Sequence, residues 1–98
     1  MPITLQYPSV TSYRIEVSGW DNDDHFFVES TDLEWGEEAG KRINTSHDLR
    51  DGAVIFVRLL QNPIPGTNYP IAYRVERMES RGRPERNEFR LIQLRPRR

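Results

Sequence analysis

Four groups of side chains in this sequence are of the types that could do chemistry. Asp21-Asn22-Asp23-Asp24 followed by His25 gathers hard oxygen donors beside an imidazole, the materials of a cation site. A calcium loop of the usual design also needs a mid-loop glycine and a bidentate glutamate at its end, and this stretch has neither. Ser46-His47-Asp48 has the residue types of a nucleophile, a base and an orienting acid. Catalytic partners meet across a fold, however, and neighbours in an extended chain point to opposite faces. Both clusters therefore read as turns, with no metal expected. Paired carboxylates occur elsewhere without a recognisable substrate-binding framework, so a non-catalytic protein without cofactors is expected. Finally, Trp20, Trp35, Tyr69 and Tyr73 stand at the ends of apolar stretches. With arginines nearby they could stack nucleobases, or they could plug the ends of a small barrel.

The elements that must position these groups are short and alternate at period two. Tyr13-Ile15-Val17, Phe27-Thr31-Leu33, Ala53-Ile55-Val57-Leu59, Ile71-Tyr73-Val75 and Phe89-Leu91 each place apolar side chains on one face of a strand. Ser12 to Trp20 and His25 to Trp35 predict a hairpin across the Asp-rich turn. Lys41 to Thr45 predicts a third strand, after an acidic segment bracketed by Gly36 and Gly40. Asp51-Gly52 is a turn signal before Ala53 to Gln61, which is apolar on both faces and is expected to be central or covered on both sides. Asn62 to Pro70 reads as a long proline-rich loop. Ile71 to Glu79 and Glu88 to Leu94 complete the set around a turn at 80–84. The expected fold is all-β: a small single-domain antiparallel barrel of about six strands over 11–95, with an extended lead-in at 1–10 and a basic tail at 96–98. An SH3-like or oligonucleotide-binding barrel stays open, because strand count does not separate these folds.

Composition narrows the class. Hydrophobic residues make up 36% and charged residues 30%, so the core must be thin, which suits strands that give only alternate positions to the interior. Cysteine is absent, which excludes disulfides and thiolate metal sites. The start of the sequence lacks the basic and apolar regions of a signal peptide, and no stretch approaches a membrane span; a cytoplasmic location without membrane association is expected. The net charge of −1 hides a division: residues 1–73 carry −6 and residues 74–98 carry +5, with nine arginines among the latter. Such a division can mark a polyanion-binding face. It can equally mark acidic and basic strands that neutralise one another across a sheet. Lys41 is the only lysine.

Several segments together resemble the PilZ domain family. Tyr13-Arg14-Ile15-Glu16-Val17-Ser18-Gly19-Trp20-Asp21 and Phe27-Val28-Glu29-Ser30-Thr31 are similar to the family's opening hairpin, with its "G-x-D" turn and "F-x-E-x-T" strand. Gly40-Lys41-Arg42-Ile43, Leu49-Arg50-Asp51-Gly52-Ala53-Val54-Ile55-Phe56-Val57, Ala72-Tyr73-Arg74-Val75 and Phe89-Arg90-Leu91-Ile92-Gln93-Leu94 resemble its later strands, in order, over about residues 10–95. Many PilZ domains bind cyclic di-GMP, and the resemblance implies a ligand site at Arg14, Gly40 and Arg42. Both binding motifs depart from the family pattern. Val10 stands where "R-x-x-x-R" needs its other arginine, and Trp35 and Glu37 occupy the polar positions of "D/N-x-S-x-x-G". Valine supplies none of the charge-assisted hydrogen bonds that arginine gives a phosphate, and Glu37 and Glu38 add repulsion.

The expectation is thus a PilZ-like regulatory or protein-interaction module with a protein partner, contacting it through an uncapped barrel edge and the Pro63–Pro70 loop, and not binding cyclic di-GMP. The alternatives are a nucleic-acid binder using the arginine-rich last hairpin, or cyclic di-GMP binding at a non-standard site of Arg14, Arg42 and Arg50.

Overall fold

In the computed structural model, residues 10–38, 40–60, 69–78 and 86–94 are described. They form six antiparallel strands: β1 (Val10–Trp20), β2 (Phe26–Gly36), β3 (Gly40–Thr45), β4 (Val54–Leu59), β5 (Ile71–Met78) and β6 (Asn87–Gln93). The sheet closes on itself in the order β1-β2-β3-β6-β5-β4. The expected all-β barrel is present. Val10 belongs to β1 rather than to a lead-in, while the rest of the lead-in (1–9), residues 61–68 of the proline-rich loop, the turn at 80–84 and the tail lie outside the described residues.

One expectation needs correction: closure pairs β4 with β1, so no strand among the described residues is left as an edge without a neighbour. β4 is central, as expected, between β1 and β5. The alternative, coverage on both faces, is not met: its inner face is buried while the outward Val54 and Phe56 are exposed.

Alternation sorts the side chains. Ile15, Val17, Leu33, Ile43, Ile55, Val57, Tyr73, Val75, Phe89 and Leu91 point inward and form one core. Glu29, Thr31 and Thr45 share that inner phase near one end, where Glu29 accepts hydrogen bonds from the Thr45 hydroxyl, the Ser46 N–H and Arg86. Gly19 also faces inward. A side chain there would meet Ile55 Cγ2 at 3.2 Å, so glycine lets β1 and β4 approach where the barrel narrows.

The outer wall carries a belt of cross-strand ion pairs. Arg58 meets Glu16 (3.0 Å), Arg14 meets Asp32 (3.3 Å), Arg42 meets Glu34 (3.4 Å) and Glu88 (4.0 Å), and Arg90 meets Glu76 (3.6 Å). Every strand boundary except β4–β5 is crossed. The register sets Arg42 directly opposite Arg90, a repulsive pairing that the flanking carboxylates offset. These pairs join charges within residues 1–73 or within 74–98, or at Arg42–Glu88 the minority charge of each part; the acidic and basic parts meet instead where Arg86 pairs with Glu29 and Arg77 with Asp48.

The two ends differ. Residues 46–53 strap across one end and drive Leu49, fully buried, into the interior as a stopper. His47 stacks on Phe27 with centroids 4.1 Å apart. Arg77 donates to the Leu49 carbonyl (2.8 Å) and to Asp48, while Asn22 of the β1–β2 turn donates to Asp48 Oδ2 (2.7 Å). The Gly52 N–H bonds the Val75 carbonyl at 2.7 Å, fixing the far side of the strap to β5. The other end has no comparable strap among the described residues.

Leu49→Ala is expected to lower unfolding stability by about 2–5 kcal/mol, the cost of a buried methyl cluster plus the cavity it leaves. Arg14→Ala, which removes one exposed ion pair, is expected to cost less than about 1 kcal/mol. Urea denaturation of the two variants checks this, and equal losses would contradict the assigned stopper.

Candidate functional site

The end opposite the stopper opens into a cavity of about 270 Å³. Its walls are the inward residues where β1 begins and β2 and β4 end: Tyr13, Leu33, Trp35, Val57 and Leu59. Lys41 of β3 and Ile71 and Tyr73 of β5 complete it, and the exposed Tyr69 stands on the rim. Continuing each strand's alternation outward from the core leads to these positions, so the cavity is the part of the barrel interior that the described side chains do not fill.

Lys41 is the only charged group in the wall among the described residues. Its register partners are Trp35 and Leu91. The ammonium lies over the Trp35 ring (4.6 Å) and the Tyr73 ring (5.0 Å), and donates a hydrogen bond to the Tyr73 hydroxyl at 3.1 Å. Tyr13 packs beside Trp35 with ring centroids 6.4 Å apart. The aromatic faces stabilise the cation by their quadrupoles and hold it at the mouth. Neither tryptophan plugs the barrel. Trp35 is 48% exposed on the open rim, and Trp20 is 53% exposed because it falls in the outward phase of β1, against Phe26 (5.1 Å).

The residues singled out in the sequence are dispersed. Arg14 and Arg42 lie on the outer wall, on the strands either side of β2, with Asp32 and Glu34 between them. Gly40 opens β3 at the rim with φ of +72°, a backbone conformation that explains the glycine without reference to a ligand. Arg50 belongs to the strap at the stoppered end, beside Trp20 and Asp21, and does not join Arg14 and Arg42. Among the described arginines of the last hairpin, Arg77, Arg86 and Arg90 each face a carboxylate.

The Ser46-His47-Asp48 triplet is built into the strap. His47 stacks on Phe27 and Asp48 turns away to Arg77 and Asn22, so the imidazole and this carboxylate serve different partners. Asp21, Asp23 and His25 bring potential ligand atoms within 4.8 Å of one another. One Asp21 oxygen already accepts the Asp23 and His25 N–H groups (2.9 and 3.0 Å), which is the turn chemistry expected of this stretch, and Asp24 takes the left-handed φ of 61°.

Lys41, Tyr13 and the aliphatic wall were not singled out by sequence. The signal was the phase of β3: Lys41, Ile43 and Thr45 alternate, so an inward Ile43 requires an inward Lys41. Comparison with protein-family models, curated proteins and solved structures finds no match to this chain. No helix among the described residues is long and apolar enough to cross a membrane.

Two carboxyls are held below the usual range: Asp48 chiefly by the Arg77 hydrogen bond and then by Asn22, and Asp21 chiefly by the His25 backbone N–H. A carboxylate whose folded pKa is depressed contributes stability above its unfolded value, about 3.9, and loses it as pH falls through the folded value. Carboxyl carbon NMR is expected to give Asp48 and Asp21 midpoints below that of an unperturbed aspartate, with the Arg77–Asp48 ion pair lost over the Asp48 titration. A midpoint at or above the ordinary value would contradict the clasp.

Proposed function

We propose that this chain is a non-catalytic protein-interaction module of PilZ-like architecture, and that its binding surface is the open, aromatic mouth of the barrel. The observation that carries the reading is the asymmetry of the ends: Leu49 fills one, while at the other Tyr13, Trp35 and Tyr73 line an apolar cavity. Its volume is near the lower end of the range of about 300–1,000 Å³ typical of small-molecule clefts, a scale suited to one large side chain of a partner. The PilZ-like part rests on order: the segments that resemble the family fall successively on β1, β2, β3, the strap with β4, β5 and β6.

Cyclic di-GMP is not the ligand in this reading. Arg14 and Arg42 already pair with carboxylates, and a dianionic dinucleotide would have to displace Asp32 and Glu34 or lie beside them. The ion pairs of Arg77, Arg86 and Arg90 argue the same way against a phosphate backbone on the last hairpin.

Panning a displayed peptide library against the folded protein tests this. Enriched peptides are expected to shift the amide resonances of Trp35, Lys41 and Tyr73, and to lose most of their affinity with Trp35→Ala. The reading fails if enriched peptides shift only the outer wall or the Leu49 end. It also fails if cyclic di-GMP or an oligonucleotide gives saturable shifts at Arg14 and Arg42 while no peptide binds the mouth.

A further inference from the structure

We infer that the mouth recognises a partner segment in which an acidic side chain adjoins an aromatic residue, the ring entering the cavity and the carboxylate meeting Lys41. This rests on the mouth being the binding surface and adds the chemistry of what it binds.

Lys41 differs from most of the other described cations in its surroundings. Six of the described arginines have a carboxylate within 4.0 Å. Lys41 has none among the described residues, although it is half-buried and faces the apolar side of the wall. Arg50 and Arg74 also have no carboxylate within that distance among the described residues, but both are exposed on the outside, where water solvates them. An ammonium has three N–H donors, and one goes to Tyr73. The ammonium otherwise lies beside the Trp35 and Tyr73 rings, in a cavity whose other side chains are Leu33, Val57, Leu59, Ile71, Tyr13 and Tyr69, with no carboxylate among them. In such surroundings water is partly excluded and attraction for an anion is stronger than on an open surface.

The cavity wall sets the rest of the ligand. Trp35 and Tyr13, tilted against each other with centroids 6.4 Å apart, offer aromatic surface for edge or offset contact with an entering ring, and Leu33, Val57, Leu59 and Ile71 offer aliphatic surface beside them. A chain-terminal carboxylate is usually captured by several backbone N–H groups gathered in a nest. Here the wall is made of side chains and carries a single ammonium, which matches one carboxylate of an aspartate or glutamate. Electrostatic complementarity of this kind selects the partner.

The test uses the intact protein and short blocked peptides. An acetylated, amidated tetrapeptide containing Phe-Asp is titrated against its Phe-Asn counterpart, with amide resonances as the readout. Phe-Asp is expected to shift Trp35, Lys41 and Tyr73 and to bind about tenfold more tightly than Phe-Asn, as a charge-assisted hydrogen bond implies. Lys41→Met should abolish that difference and Lys41→Arg should retain much of it, with unchanged Leu49 and Phe89 resonances confirming the fold. Equal binding of Phe-Asp and Phe-Asn at the mouth would overturn the acidic recognition and leave the mouth as a binding surface. Tighter binding of a peptide ending in a free Phe carboxylate would overturn the side-chain assignment. Failure of both blocked peptides, while panned peptides still shift the mouth, would overturn this inference alone; absence of any mouth ligand would overturn the proposed function with it.

Discussion

Six strands closed on themselves give each strand a hydrogen-bonded neighbour on both sides over part of its length, and this constraint limits what the described backbone can offer a partner. Recognition then falls mainly to side chains on the wall or to the ends of the barrel. The wall is largely committed: the belt from Arg58–Glu16 round to Arg90–Glu76 pairs charge with charge across nearly every strand boundary. Each such pair is worth little alone at the surface. Together they fix which outward charges remain available to a ligand. That leaves the ends and the apolar stretch of wall around Ser18.

At one end the interior is completed by a residue that no strand contributes. Leu49 lies in the strap, and the strap is fastened from several directions by Asn22, Arg77 and the Gly52–Val75 bond. At the other end, the inner phase of each strand runs on past the core into Trp35, Lys41, Ile71 and Leu59, which together do not fill the barrel. The same alternation that builds the core therefore also builds the mouth. A second exposed apolar area lies outside, where Phe26, Val28 and Phe56 surround Ser18, extended by Trp20 against Phe26. It is the outward remainder of strands such as β4 that are apolar on both faces.

Much of the fold was legible because side-chain phase is local. Ile15 and Val17, or Ile55 and Val57, announce a buried face within a few residues, and Asp51-Gly52 marks the entry to β4. A charge division along the sequence does not say which strands become neighbours, and the outer-wall pairs run largely within each part, with Arg77–Asp48 and Arg86–Glu29 joining the basic part to the acidic one. The site was much less legible. Lys41 and Glu29 are charged residues in the inner phase, and composition alone puts charge outside. Leu49 looked like part of a polar turn because its burial depends on where residues 46–53 cross, a long-range fact. The family likeness pointed to Arg14, Gly40 and Arg42, and of these only Gly40 lies at the mouth.

The central claim is that the described residues fill the barrel at the Leu49 end and leave it open at the Lys41 end. Methyl resonances recorded with and without dissolved xenon, which enters apolar cavities, measure this directly. The account predicts shifts at Leu33, Val57, Leu59 and Ile71, with Val17, Ile55 and Leu49 unmoved. Shifts gathered around Leu49 and Ile55, or none at the mouth, would contradict it.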